Sequence, residues 1–306
     1  LVLNSTVDDL TFDTTAGSIN GVTLNGGSAA GLLNLTAGGD GGTLDIGTDL
    51  QPTASCIIVN QPISATTGAN GALVNNGGNG GNVSMVATDE VRVNSTIKVS
   101  DSASGRASAR GGNISLKSNA TTGPAITVSS SAQLVALLSN AAPGPGGTIK
   151  LTSAGGTVAV NGTVRADKGT VDIQNNGATG AINLTNANLH GNVVKASALG
   201  ANGQLNVGGG TIDADSLISL YAGGSNGQVN FNQNVTLSGN SVKHIQGNTV
   251  TVVNGKTVTV QGPSAANVYT NNPNYTGSGG NGSTTGTFGG KGATTQPLAS
   301  GPGPGG

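Results

Sequence analysis

The sequence predicts an all-β fold, a single right-handed parallel β-helix in which short strands stack on one another along one axis. Three observations lead to this prediction. A short glycine-led unit with alternating apolar and polar residues recurs, Asn-Gly and Asn-Ser pairs separate strand-like segments, and the chain combines 54 glycines with only 8% charged residues. Each unit buries too few side chains to be stable alone, and stacking supplies the missing partner faces.

The recurrent unit is Gly-Gly, a polar residue, and then an apolar–polar–apolar triplet. Copies start at Gly41, Gly80, Gly111, Gly146 and Gly155, and looser copies start at Gly169, Gly180, Gly203 and Gly227. Alternation with a period of two is typical of a strand with one buried face. We therefore expect the polar residues between the apolar ones to point outward and the following side chains to point inward: Val83, Met85, Ile114, Leu116, Ile149, Leu151, Val158, Val160, Val171 and Ile173.

A second unit joins two alternating segments through a short polar corner. Residues 91–99 match residues 158–166, with Asn94-Ser95 and Asn161-Gly162 at the corners. Asn and Gly tolerate the left-handed backbone that sharp corners need. A β-hairpin is the alternative, because Asn-Gly also forms two-residue hairpin turns. In a stack, asparagines at equivalent positions are expected to form ladders of amide hydrogen bonds.

These glycine-led and Asn-Gly units, best developed over residues 146–173, resemble the repeats of filamentous-haemagglutinin-like proteins. Those proteins are large bacterial exoproteins built as right-handed parallel β-helices, and the resemblance covers residues 15–262. It implies a secreted protein, extracellular or on the cell surface. Members exported by two-partner secretion carry an Asn-Pro-Asn motif in an N-terminal secretion domain, whereas the triplet here is Asn272–Asn274, near the C-terminus. The resemblance therefore leaves the export route open.

Three regions follow from the repeat. Residues 1–40 are expected to form a strand-like N-terminal coil or cap, residues 41–262 the parallel β-helix, and residues 263–306 an irregular tail rich in Gly, Pro, Ser and Thr. Residues 129–142 interrupt the repeat as either an apolar strand or a short helix. The alternating stretch 248–261 contains Asn254-Gly255 and can close the stack as a hairpin.

Composition excludes several classes of partner. The 12 Lys and Arg residues are scattered and are balanced by 13 Asp and Glu, for a net charge of −1, so no basic field for nucleic acid is expected. The apolar run 134–138 is far shorter than the ~20 residues of a membrane-spanning helix. The sequence begins at Leu1 rather than Met, as it would after removal of a signal peptide or in a piece of a longer chain.

Residues with catalytic or metal-binding chemistry are few. Asp213 and Asp215, on one strand face, are the best carboxylate pair for the polysaccharide hydrolases and lyases that share this fold, and solvated surface acids are the simpler interpretation. His190 and His244 are isolated and expected at the surface or a corner. Cys56 is expected to be a small buried residue. Residues 38–42 with Asp45 only faintly match calcium-binding repeats. No catalytic, cofactor-binding or metal-binding residue is therefore predicted.

The resulting functional prediction is a non-enzymatic extracellular structural protein that forms a homopolymeric surface filament. Open strand edges at the ends of a β-helix favour head-to-tail stacking of copies, and residues 270–297 are expected to act as a strap between subunits. The partners are the protein itself and, in addition, host or environmental surfaces or polysaccharide. The alternatives are a monomeric surface adhesin, a polysaccharide lyase or hydrolase, and an ice-binding protein with threonine ladders at residues 249–251 and 257–259.

Overall fold

The computed structural model is built from β-strands. It describes residues 9–12, 22–24, 33–34, 43–46, 54–60, 62–66, 80–100, 111–138, 145–264, 266–270, 285–288 and 294–296. Within these ranges every regular element is a strand, which confirms the all-β class. None of the described segments is a helix that could cross a membrane.

The 24 strands of the described residues form one hydrogen-bonded sheet system. In chain order they are β1 Asp9–Phe12, β2 Val22–Leu24, β3 Leu33–Asn34, β4 Thr43–Ile46, β5 Ala54–Val59, β6 Ile63–Thr66, β7 Asn82–Val93, β8 Thr96–Ser100, β9 Asn113–Ser118, β10 Pro124–Val128, β11 Gln133–Leu137, β12 Thr148–Ser153, β13 Thr157–Val160, β14 Thr163–Asn175, β15 Ala181–Ala198, β16 Gln204–Ala222, β17 Gln228–Phe231, β18 Val235–Ser238, β19 Val242–Gln246, β20 Thr249–Val252, β21 Val258–Gln261, β22 Ala266–Tyr269, β23 Thr285–Phe288 and β24 Thr294–Gln296.

Parallel pairing sorts these strands into three ladders. Ladder A contains β1, β4, the start of β7, β9, β12, the ends of β14, β15 and β16, then β19, β22 and β24. Ladder B contains β2, β5, the end of β7, β10, β13, the starts of β15 and β16, then β17 and β20. Ladder C contains β3, β6, β8, β11, the start of β14, the middle parts of β15 and β16, then β18 and β21.

The chain visits ladder A, ladder B and ladder C in that order and then returns to ladder A; we call one such pass a circuit. Nine circuits lie within the described strands, the first made of β1 to β3 and the ninth of β19 to β21. Early circuits are longer: Asn113 and Thr148, in contact across ladder A, are 35 residues apart, whereas His190 and Asp213, in contact across ladder C, are 23 apart. The difference in length falls between the end of a ladder C strand and the start of the next ladder A strand, as between Leu137 of β11 and Thr148 of β12.

Neither of the two hairpins that the sequence left open as an alternative is present. The segments flanking Asn161-Gly162 lie in ladders B and C, where they pair with β10 and β11 of the preceding circuit instead of with each other. The strands on either side of Asn254-Gly255, β20 and β21, likewise pair with β17 and β18. The one antiparallel pairing among the described strands joins β21 to β23, which is far away in sequence.

Two stretches that the sequence sets apart from the repeat contain strands of the ladders. Within residues 129–142, Gln133–Leu137 is a strand of ladder C that pairs with β8 and β14, so the helix alternative is wrong. Beyond residue 262, Ala266–Tyr269 pairs in parallel with β19 as the next strand of ladder A. The strand pattern therefore continues past the expected end of the repeat.

The inward-facing residues are those that the alternation predicts. All ten apolar side chains expected in the core are buried, with at most 1% exposure, and they belong to one continuous hydrophobic cluster. The polar residues between them are more accessible, with Lys150 exposed and Ser84, Ser115 and Asp172 half-buried. The period-2 prediction is confirmed because each strand buries one face against the interior and leaves the other to solvent.

The glycine-led unit occupies two different places in the circuit, which the sequence did not reveal. The copies at Gly111 and Gly146 precede ladder A strands, whereas those at Gly155 and Gly180 precede ladder B strands. The glycines that precede ladder A strands lie on top of one another in successive circuits. A Cβ atom on Gly147 would overlap the carbonyl oxygen of Gly112, and a Cβ atom on Gly169 would overlap the carbonyl oxygen of Gly147. Only glycine fits there, because successive backbones approach too closely for a side chain.

A row of buried polar side chains closes the corner between ladders A and B. Ser118, Ser153 and Asn175 occupy equivalent register positions on successive strands and have no exposed surface. The Ser153 hydroxyl donates to the carbonyl oxygen of Gly156 at 2.6 Å, and the Asn175 amide donates to the same oxygen at 2.7 Å. Both bonds go to one corner carbonyl, so the buried hydroxyl and amide each have a hydrogen-bond partner.

Candidate functional site

A charged row on the outward side of ladder C is the best candidate for a site with chemistry. Arg165, His190 and Asp213 are register partners on successive strands, and Ser238 follows Asp213 in the same row. Their inward neighbours Leu189, Ile212 and Leu237 are buried. Because side chains alternate along a strand, the burial of these apolar residues directs the polar row outward.

His190 bridges two carboxylates. Its Nδ1 lies 2.7 Å from Oδ2 of Asp213, and its Nε2 lies 3.2 Å from Oδ1 of Asp167. A neutral imidazole has one N–H and one lone pair, whereas an imidazolium has two N–H groups. The Nδ1 contact is a hydrogen bond, whereas the Nε2 contact is at ion-pair distance. The expectation that His190 is isolated is wrong.

Each carboxylate of this row has a further donor. The Arg165 guanidinium donates to both oxygens of Asp167, at 2.6 and 2.8 Å, and this hydrogen bond raises the pKa of Arg165 against the opposing effect of burial. The Ser238 hydroxyl donates to Oδ1 of Asp213 at 2.6 Å. The result is a chain of contacts, Arg165–Asp167–His190–Asp213–Ser238, which ties four successive strands of ladder C together.

The order of contacts limits what this row can do chemically. The serine hydroxyl contacts Asp213 and not the histidine, so the nucleophile–base contact of a serine hydrolase is not formed. The candidate carboxylate pair is not brought together as a site, since Asp213 is engaged with His190 and Ser238 while Asp215, two residues further along the same strand, is exposed. The carboxylate that joins Asp213 around a common group is instead Asp167.

Removing the Asp213 charge tests whether the row links the strands. We expect Asp213→Asn to lower the free energy of unfolding by about 0.2–1 kcal/mol, because the pair with His190 is half-exposed and screened by water. Urea unfolding at low and high salt measures this loss, which we expect to shrink as salt rises. Asp215→Asn is the matched control and should leave stability unchanged. Equal effects of the two substitutions would contradict the link.

A second charged pair lies on the outward side of ladder B in an earlier circuit. Arg92 contacts Glu90 at 2.7 Å, and the Thr127 hydroxyl on the next strand donates to Glu90 at 2.8 Å. The hydrogen bond with Glu90 raises the pKa of Arg92. Cys56 pairs in register with Glu90 and is half-buried, not buried as expected, because Ile57 and Val59 take the inward positions of its strand.

Amide ladders form as the stack predicts. In ladder B, Asn230 donates to Asn206 at 3.0 Å, and Asn206 donates to Asn183 at 2.8 Å. Two further amide pairs join Asn113 to Asn82 and Asn94 to Asn60. Equivalent positions on neighbouring strands are one strand spacing apart, which suits amide-to-amide hydrogen bonds.

Ladder A carries two features that sequence analysis did not find. The rings of His244 and Tyr269 stack on its outward side, 5.9 Å apart at 13°. Lys243 is fully buried at an inward position, in register with Ile218 and Ala266. One signal was present for Lys243: in Val242–Gln246 the lysine stands where other ladder A strands have an apolar residue.

No group of three or more His, Cys, Asp or Glu side chains in the described part of the chain is arranged to hold a metal ion. Residues 38–42, part of the faint calcium-type repeat, lie outside the described residues, as does the Asn272–Asn274 triplet. The chain matches no protein-family model, no curated protein and no solved structure. Its function must therefore be argued from the geometry of the chain itself.

Proposed function

We propose that this chain is a right-handed parallel β-helix that serves as the subunit of an extracellular, non-enzymatic filament. The connection from one strand of a ladder to the next passes through the other two ladders, and such parallel crossovers are right-handed in about 98% of known cases. In this proposal each circuit is one coil of the helix, and copies stack head to tail, with strands at the end of one subunit pairing with strands of the next.

Unpaired strand edges carry this proposal. Among the described strands, β1, β2 and β3 at one end and β20, β23 and β24 at the other pair on one side only. A strand edge with free N–H and C=O groups favours pairing with another strand. Identical subunits joined head to tail without ring closure give an open filament.

The C-terminal strands support tail-mediated contacts at the junction between subunits. β23 and β24 pair at the last strands of ladder C and ladder A, next to the free edge of β20. They therefore lie where a following subunit would stack, rather than along the side of the stack. We propose that these strands contribute to the contact between neighbouring copies.

Truncation after Thr270 tests the polymer and the tail contact separately. It removes β23 and β24 but keeps β22 in ladder A. We expect the full-length chain to form filaments visible by electron microscopy, and the truncated chain to form filaments that dissociate at lower denaturant concentration. Equally resistant truncated filaments would refute the tail contact. A full-length chain that remains monomeric at all concentrations in analytical ultracentrifugation would refute the polymer and favour the monomeric adhesin.

The charged row of ladder C favours a second candidate, a polysaccharide lyase or hydrolase. Carboxylates on neighbouring strands beside a histidine and an arginine are groups that such enzymes use for acid–base work. Asp167, His190, Asp213 and Arg165 provide this set on one outer surface. Their mutual contacts favour the structural role, since neither carboxylate is left without a protein donor.

Incubation with polygalacturonate and with neutral glycans separates the two candidates. The structural proposal expects no release of reducing ends or unsaturated products above the buffer blank. Cleavage by the wild-type chain that Asp213→Asn abolishes and Asp215→Asn preserves would establish the enzyme instead.

A further inference from the structure

The outward side of ladder B carries no charge over its last five strands. We call this surface face B; it consists of the outward side chains of residues 157–161, 181–185, 204–208, 228–232 and 249–253, all of which the structure describes. Gln204 and Gln228 are exposed on it, and Asn183, Asn206 and Asn230 form its central row. Its side chains are almost entirely amides, hydroxyls and small groups.

In the first three of the five circuits that contribute to face B, the other two outward surfaces are charged. Ladder A presents Lys150, Asp172 and Lys195 in one register row, and ladder C presents the row that contains Arg165 and His190. Along the chain, the charged residue that follows face B most closely is Lys256, in the corner after β20. Folding brings the uncharged outward residues of these five strands together on one surface.

The amide groups of face B are already fixed in orientation. The Asn183–Asn206–Asn230 bonds are 2.8 and 3.0 Å long, and a second amide pair, Asn226 to Asn202, lies at the neighbouring corner at 2.8 Å. Side chains that are ordered before contact lose less conformational entropy when a partner covers them. Stacked Asn and Gln ladders are also a recurrent element of interfaces between paired sheets.

We propose that face B of one filament pairs with face B of another, so that filaments associate laterally into bundles. When two identical surfaces meet about a two-fold axis, a charged residue at the centre of the contact meets its own like charge. Face B avoids this repulsion, whereas the rows on ladders A and C do not. This inference rests on the proposed filament and names the partner of its surface: a second copy of this chain.

The size of face B explains why pairing needs the filament. Five strands at about 4.8 Å spacing, each contributing five residues of about 3.3 Å, give roughly 400 Å² per chain. Stable interfaces between single proteins bury about 800 Å² per partner. Two free subunits are therefore expected to stay apart, while stacked subunits repeat the contact and gain from multivalency.

A single isosteric charge on face B tests this proposal. Gln228→Glu places a carboxylate on the exposed surface without altering the Asn ladder, and Gln133→Glu makes the same change at an exposed position on ladder C. Electron microscopy at low ionic strength is expected to show bundles for the wild type and for Gln133→Glu, but single filaments for Gln228→Glu. Added salt should restore bundling of Gln228→Glu, because screening removes the repulsion.

The outcomes distinguish this inference from the filament on which it rests. If filaments of the wild type and of both variants bundle equally, or if none of them bundles, pairing through face B is overturned and the filament proposal is unaffected. An absence of filaments in every variant overturns both. A glycan-binding surface is the third outcome. It is indicated if wild-type filaments associate only when a neutral polysaccharide such as dextran is added, and if Gln228→Glu filaments no longer bind that polysaccharide. This result would overturn self-pairing.

Discussion

Lys243→Glu is expected to lower the free energy of unfolding by more than about 4 kcal/mol or to prevent folding, because it places an unpaired carboxylate in the core. The Lys243 amine donates to the carbonyl oxygens of Ser241 and Gly239 at 2.9 and 3.1 Å, where ladder C turns into ladder A. A carboxylate there would meet two acceptors and no donor. Urea unfolding followed by circular dichroism measures the loss.

Lys243→Met is the matched control. It keeps the unbranched chain and removes the charge, so the penalty for burying an ion is relieved while two carbonyl oxygens lose a donor. These effects oppose each other, and we expect the free energy of unfolding of Lys243→Met to be much closer to that of the wild type than that of Lys243→Glu is. Similar stability of the two variants would show that the side chain does not occupy the interior.

The pH dependence of stability provides an independent check on Lys243. Desolvation lowers the pKa of this amine below its ordinary value, opposed by the charge of Asp213. Between the folded pKa and the unfolded value of about 10.4, the unfolded chain binds more protons than the folded one. The stability of the wild type should therefore rise with pH through this window, relative to Lys243→Met. A pH-independent difference between the two proteins would contradict this burial.

Phe231→Ala is expected to cost about 3–5 kcal/mol, since it deletes a fully buried aromatic ring and leaves a cavity. Phe231 lies in ladder B with Val207 and Val252 as its register partners on the neighbouring strands. In a stack of repeats each unit is stabilised mainly by its neighbours, so we expect hydrogen exchange to accelerate most in the strands that carry these partners.

Two controls accompany the Phe231 variant. Phe231→Leu retains most of the apolar volume and should lose clearly less stability than the alanine variant. Val253→Ala removes an exposed apolar side chain two residues beyond the outward Thr251 and should change stability by no more than about 0.5 kcal/mol. Equal losses for all three would indicate that the interior near Phe231 is not packed.

Local alternation was sufficient to predict strands and their buried faces. Residues such as Ile149 and Leu151 alternate with polar neighbours, and a strand with one buried face must place them inward. The amide ladders were also predictable, because stacking brings equivalent asparagines to one strand spacing. Both predictions depend only on residues within one strand or on the repetition of a unit.

The candidate site could not be predicted in the same way. Asp167, His190 and Asp213 lie in three successive circuits and share no local motif; they meet because their strands pair in one particular register. Lys243 was overlooked for a related reason, since its role depends on carbonyl groups at a corner whose conformation the sequence does not reveal. Asn254-Gly255 has the sequence of a hairpin turn, yet the flanking strands β20 and β21 pair in parallel with β17 and β18 instead of with each other.

By itself, the sequence determined that this chain is all-β and which side chains enter the core. The tertiary structure alone decided which strands are neighbours, and with them the three ladders, the charged row on ladder C and the uncharged face B. The physical reason is that alternation is imposed within a strand, whereas register depends on corner lengths that vary: contacting residues are 35 apart at Asn113 and 23 apart at His190. Only the folded backbone, by satisfying its hydrogen bonds between circuits, fixes that register.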